Sequence, residues 1–211
     1  SIYRKAYGND HPDVALTLNN LAALLDDRGQ LETAREMYEE ALGITRKIFG
    51  RDSMEVASTL VCYANCLRNL KFYEQALQHY EEALRIKVQA YGPDCQDAAP
   101  LYVKIGSMCQ LLQRYKDATA AYEESLALRK RHFGEDHPEV ALSLEMMGSL
   151  NEDQGKYAEA RTIYESALYI KTHYYGEGSH SDVADTLTLL GMLTKRQKKY
   201  QSAIPLLEAA L

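Results

Sequence analysis

Residues 8–49 read GNDHPDVALTLNNLAALLDDRGQLETAREMYEEALGITRKIF, and residues 134–175 read GEDHPEVALSLEMMGSLNEDQGKYAEARTIYESALYIKTHYY. Superposed without gaps, they share a leading glycine, an Asp-His-Pro triplet, and alanine and tyrosine at the same offsets in their second halves. Outward from these stretches the spacing persists: Gly8, Gly50, Gly92, Gly134 and Gly176 are each 42 residues apart. The same offset carries Tyr38, Tyr80, Tyr122 and Tyr164, and Ala34, Ala76, Ala118 and Ala160. Ala203 follows one residue late, because the stretch at 176–181 holds one insertion, as a loop can. Self-similarity at such a period marks a stacked-repeat architecture.

Each unit reads as two helices. In the first unit they are helix A over 14–27 and helix B over 31–48, with apolar residues returning every three or four positions. Short turns such as Arg28-Gly29 and Gln154-Gly155 separate them, which makes antiparallel hairpins. The glycine after helix B suits a left-handed C-terminal cap. In two units it leads into Asp-His-Pro, whose proline sits where a new helix tolerates a missing amide hydrogen. Pro100 lies too deep in the third A helix for this and predicts a start about one turn late, while Pro205 predicts a kink in the last B helix.

Small residues mark where helices touch: Ala22, Ala64, Gly106, Gly148 and Gly191 in the A helices, and Ala41, Ala83, Ser125, Ala167 and Ala210 beside the tyrosine column. Close approach at these points seats one unit's ring against its neighbour. The recurring tyrosines among the sixteen in the chain are therefore core residues and not a base-stacking platform.

The residues Leu18, Leu21, Ala22, Ala34, Tyr38 and Ala41 resemble the tetratricopeptide repeat, and the match recurs five times. The long period and the phrases GNDHPDVALTLNNLAALL and GEDHPEVALSLEMMG are similar to the kinesin light chain subclass, whose second helices are extended. Long repeats of this kind also occur in ciliary proteins. The resemblance implies an all-α fold, a right-handed superhelical solenoid of antiparallel hairpins. The expected array is 1–7 (end of a preceding repeat), 8–49, 50–91, 92–133, 134–175 and 176–211 (truncated). Tyr7 aligns with Phe49 and Tyr91, and Leu211 stops inside a helix, so both ends are expected to be cut and further repeats or caps are expected in the parent.

The resemblance also implies a concave wall built from A helices, with a partner peptide held by A-helix residues that point away from helix B. The residues expected there are Asn19, Asn20, Asn65, Arg68, Asn69, Lys104, Ser107, Gln110, Glu145 and Ser149. These columns vary between units while the packing columns do not. Asn65 falls at the position of the family's peptide-clamping asparagines, and its amide can both donate to and accept from an extended backbone. Arg68 and Lys104 make a basic stretch between acidic Asp26-Asp27 and Glu145-Glu152-Asp153, which suits an acidic or mixed-charge segment, such as the aromatic-acidic cargo motif that the light-chain resemblance suggests. The bland reading is a solvated helix face. The paired Asn19-Asn20 occurs in one unit only, so cargo chemistry does not carry over wholesale.

Composition excludes other classes. A net charge of −6 argues against a nucleic-acid surface, and no run of about 18 apolar residues offers membrane insertion. Four cysteines fit a reducing, cytoplasmic setting, with microtubule or cilium association following only from the resemblance. Cys62 and Cys66 share a helix face but lack two further zinc ligands, and the reading is a groove thiol beside a packed one. His11 and His137 belong to the turns, and no histidine has a nucleophile at a recognisable spacing. Glu39-Glu40, Glu81-Glu82 and Glu123-Glu124 repeat with the period and lie on the solvated face of helix B. No enzyme, metal or cofactor is expected. The expected partner is a protein or peptide, with self-association of a capless array, or regulation of an enzyme elsewhere in the parent, as the alternatives.

Overall fold

A computed structural model describes residues 2–176 and 180–211. All regular structure among these residues is helical, in two compact units. Unit 1 spans 1–112 and holds α1 (Ile2–Tyr7), α2 (Pro12–Asp27), α3 (Leu31–Phe49), α4 (Met54–Asn69), α5 (Tyr73–Tyr91) and α6 (Ala99–Leu111). Unit 2 spans 113–211 and holds α7 (Tyr115–Phe133), α8 (Pro138–Asp153), α9 (Tyr157–Tyr175), α10 (Ser181–Arg196) and α11 (Tyr200–Ala209). Within each unit the A helices (α2, α4, α6, α8, α10) alternate with the B helices, and consecutive helices pack. The inserted position in 176–181 falls partly on 177–179, outside the described residues.

The A helices other than α6 start on side-chain caps. His11, His137 and His180 each accept the amide N–H two residues on through Nδ1, at 3.2 Å, and the Ser53 hydroxyl accepts that of Val56, three residues on, at 3.3 Å. Each capping histidine also stacks on the aromatic residue that ends the preceding B helix: Tyr7 on His11, Phe133 on His137 and Tyr175 on His180. His180 thus joins the two turn histidines that the Asp-His-Pro triplets identify. At Pro100 the start is delayed as expected: a single 3-10 turn at Gln96–Ala98 precedes α6. Pro205 lies inside α11.

The A helices end in a six-residue bond pattern that absorbs their last carbonyls. Gln30 N–H reaches Leu25 C=O at 2.8 Å and Gly29 N–H reaches Asp26 C=O at 2.9 Å, and Phe72 and Lys71 repeat this on Leu67 and Arg68. The residue at the left-handed position is Gly29 or Gly155 in two turns but Lys71, Gln113 or Lys198 in the others, at φ 59–65°. The glycines after the B helices differ. Gly50, Gly92 and Gly134 have φ 84–86° with ψ 165–170°, an extended conformation of positive φ and not the left-handed cap that the sequence suggested. That region is open essentially to glycine alone, which explains the unbroken glycine column here and the mixed column at the A–B turns.

The core is the predicted set of columns. Tyr38 and Tyr80 in unit 1, and Tyr122 and Tyr164 in unit 2, are all at most 2% exposed. Ala22 and Ala64, which precede Tyr38 and Tyr80 by sixteen residues, are fully buried. In unit 2 a methyl on Gly148 would lie 2.5 Å from Cε1 of Tyr164, so bulk is excluded there by the ring itself. Emptying such an aromatic site costs roughly 3–5 kcal/mol in comparable cores.

Candidate functional site

The A helices of unit 1 bring together residues from three repeats. Asn65, half-buried on α4, accepts at Oδ1 from Tyr80 Oη at 2.7 Å and from Lys104 Nζ at 3.0 Å. Tyr80 rises from α5, and Lys104 comes from α6 with its amine 5.7 Å from the centroid of the Tyr80 ring. Both contacts fall on the amide oxygen, so they leave the Asn65 NH2 group to donate elsewhere. Arg68, one turn on and exposed, donates to Asn69 Oδ1 at 3.3 Å, and Asn69 donates to Asp26 of α2 at 2.9 Å. Ser107 and Gln110 are half-buried on α6.

Neither Arg68 nor Lys104 has a carboxylate partner among the described residues. Burial is the main cause that holds the Lys104 amine below its ordinary range, and the nearby Arg68 charge adds to it, with Cys62 opposing. Burial pushes the Tyr80 phenol up to about 12, Arg68 opposing, so it stays a neutral donor. Cys62 is exposed and Cys66 buried. Crowding of its sulfur raises the Cys62 thiol and Lys104 partly offsets this, while burial, with Asp26 adding, raises Cys66 to about 11. Neither thiol is activated as a nucleophile. What remains on this face is two unpaired cations, one partly desolvated, beside an amide with a spare donor.

The outer members of the expected set behave differently. Asn20 is exposed, but Asn19 turns sideways and donates from Nδ2 to Thr59 Oγ1 of α4 at 3.1 Å, with its own Oδ1 buried and unpartnered. In unit 2 Glu145 corrects the sequence reading outright. It is 4% exposed and is bound by Lys171 Nζ at 2.6 Å and by the Thr186 hydroxyl, and it presents no acid to a groove. Asn19–Thr59 and Glu145–Thr186 are the same pair of columns, allowing for the insertion. The position therefore faces the next A helix and not open space. Ser149 is half-buried. Glu152 lies under Tyr164 Oη at 3.3 Å and is paired with Arg196 at 3.0 Å. Among the described residues, no three of His, Cys, Asp and Glu cluster to hold a metal ion, and no helix is long and apolar enough to cross a membrane.

The sequence profile of the tetratricopeptide repeat matches residues 1–47, 55–130, 97–173 and 147–211. The chain belongs to the tetratricopeptide repeat family. No curated protein sequence matches it. Solved tetratricopeptide-like folds do. BtubC (BKLC) from P. vanneervenii superposes with a TM-score of 0.76 at 22% identity, covering 94% of this chain and 79% of that one. A kinesin light chain-like protein of Podosopora anserina with nearly identical TPR-like repeats gives 0.78 at 17% identity, covering 95% and 94%. A Rap protein complexed with competence and sporulation factor gives 0.70 at 15%, covering 90% of this chain and 50% of that chain. At these identities the likeness is one of fold.

Two contacts within the tetratricopeptide array are not visible in the sequence columns. The Tyr80 column reads as core alone, yet the Tyr80 hydroxyl positions Asn65. Lys171 stands in a column that reads Thr45, Lys87, Arg129 and Lys171, so a cation at this position is the rule in the chain and does not by itself reveal that Glu145 is taken inside.

Proposed function

We propose that the chain is a protein-interaction scaffold whose α2–α4–α6 face receives an acidic segment of a partner. The observation that carries this is the pair Arg68 and Lys104: two cations on one face, with no carboxylate of their own, flanking the half-buried Asn65. A charge already desolvated by the fold gains more from an incoming carboxylate than an exposed lysine does, because less water is displaced on binding. Asn65 NH2 can meet a backbone carbonyl of the bound segment. Membership of the tetratricopeptide family and the fold shared with a Rap protein complexed with competence and sporulation factor support a binding role.

The finer reading is a cargo-selecting adaptor of a kinesin light chain-like transport complex in the cytoplasm. Its support is the long period, the Asp-His-Pro phrases and the fold likeness to BtubC and the Podosopora protein. Glu145 leaves the proposed site, and Asn19 leaves it as a sideways contact. The test is a peptide array on the purified chain against an Asn65→Ala/Arg68→Ala/Lys104→Ala variant of unchanged helicity. Acidic peptides that bind the wild type and lose about tenfold or more on the variant support the site. Equal binding by the two proteins, or none, removes it.

A further inference from the structure

In unit 1 the repeat-to-repeat seam is tied by ion pairs on the B-helix side. Arg4 of α1 bridges to Glu40 of α3 and Arg46 of α3 to Glu82 of α5, each at 2.7 Å. The aspartate of each preceding loop is tied to the B helix that follows it: Asp10 to Lys47, and Asp52 to Arg85 at 2.6 Å. In unit 2 the same positions between α7 and α9 hold different residues. Lys130 and Ser166 stand where Arg46 and Glu82 stand, and Asp136 faces a helix with Tyr169 and His173 in place of Arg85 and Lys47. Both ties are gone. Asp136 has no ion-pair partner among the described residues, and Lys130 turns instead to the exposed Glu135 at 3.7 Å.

A crevice of about 570 Å³ opens at this point, with Lys130, Ser166, Asp136 and Tyr169 on its walls. Its floor is Val140, Leu144 and Ile170, members of one apolar cluster. Glu135, Asp136 and Glu165 outnumber Lys130 at the rim, and Glu165 is already held by Arg161 at 2.8 Å. Tyr169 is 64% exposed, its ring stacked on His173. An apolar floor, an unpaired carboxylate and an open aromatic face together suit an aliphatic or aromatic side chain with a cation beside it.

We propose that the crevice between α7 and α9 is a docking site for a partner-protein segment that carries an apolar residue next to arginine or lysine. The apolar residue enters over Val140, Leu144 and Ile170, and the cation takes the place that Arg85 or Lys47 holds in unit 1, against Asp136 and the Tyr169 ring. This surface is separate from the α4–α6 cations and has the opposite charge, so the two recognise different segments. An acidic rim disfavours nucleic acid and anionic lipid.

The probe is an array of fluorescein-labelled decapeptides in which arginine flanks one Leu, Phe or Trp at varied spacing, with glutamate-for-arginine copies as controls. Binding is read by anisotropy near physiological ionic strength, about 0.15 M. Lys130→Arg/Ser166→Glu rebuilds the tie that the chain itself uses at Arg46 and Glu82, so it should fold, and Asp136→Asn removes the carboxylate. The expected result is binding by the wild type, about tenfold or greater loss in both variants, no loss in the Asn65/Arg68/Lys104 variant, and shifts of the Val140, Leu144 and Ile170 methyl resonances. The proposal is overturned if no arginine peptide binds, if the rebuilt tie leaves binding intact, or if the glutamate copies bind as well. Self-association that the rebuilt tie abolishes would also overturn it, by giving the crevice to a second copy of the chain.

Discussion

Replacing Glu145 by leucine should cost more stability than any surface change in unit 2. The carboxylate is matched by a lysine whose side chain is only 1% exposed, and the glutamate side chain itself is 5% exposed. With Glu145 gone, the Asp182 carbonyl at 3.0 Å is what remains, among the described residues, to receive a buried Lys171 ammonium. Breaking one side of such a pair costs about 3–5 kcal/mol, because the remaining charge can neither be solvated nor paired. Lys171→Met should cost a similar amount, since Thr186 alone then faces the glutamate. The double variant Glu145→Leu/Lys171→Met removes both charges and fills the space with apolar atoms, so it should return to within about 1 kcal/mol of wild type or exceed it. Because a repeat array opens in parts, amide hydrogen exchange over α8, α9 and α10 is the suitable readout, with urea midpoints beside it. A double variant no more stable than the worse single, or a Glu145→Leu cost below about 1 kcal/mol, would refute the buried-pair account.

Two further outcomes follow from the turns and from one histidine. Gly134→Ala, at φ 86° and ψ 169°, should cost roughly 1–3 kcal/mol, whereas Gly155→Lys at the A–B turn should be nearly neutral, because Lys71 and Lys198 already occupy that position; thermal unfolding of the two variants compares them. Burial, with Arg46 adding and Glu82 opposing, holds His79 below its ordinary 6.5 where it stacks on Tyr63, so the unfolded chain takes up this proton at higher pH than the folded one. Stability contributed at this site is complete above 6.5 and is lost as pH falls towards the folded value, and urea midpoints at pH 5 and 7 should show a smaller acid loss in His79→Phe than in wild type.

The hairpins, the tyrosine core and the delayed start at Pro100 were legible because each is enforced by a column or by one residue's own stereochemistry. Tyr164 and Gly148 recur in register, and a proline cannot hide. The glycine conformation after the B helices was only half legible: the column announces positive φ, but ψ is set by the path from helix B into the next loop, and it is the same ahead of Ser53 and Cys95 as ahead of His137. Glu145 was misplaced for a different reason. Its burial is decided by Lys171 and Thr186, which lie 26 and 41 residues away and belong to other columns. A reading that treats each column alone cannot see a pair. Asn19 failed likewise, since Thr59 is 40 residues on.

Departures from the period therefore fall into two physical kinds. Some are compensated inside the fold: Glu145 by Lys171 and Thr186, Arg196 by Glu152, Asn69 by Asp26. Such exchanges change the chemistry of a seam while leaving no group in want of a partner, and selection for folding alone can produce them. Others leave a charge unmatched. Arg68 and Lys104 lack a carboxylate, and Asp136 lacks the cation that its counterparts Asp10 and Asp52 have. Asp136 stands where the chain elsewhere builds an ion pair, whereas Lys104 stands in a column that otherwise reads Asn20, Cys62, Met146 and Leu189, and is set apart by the partial burial of its amine. Those two departures, one a missing cation and one an added and desolvated cation, are what place the proposed partner sites at the α7–α9 crevice and on α4–α6.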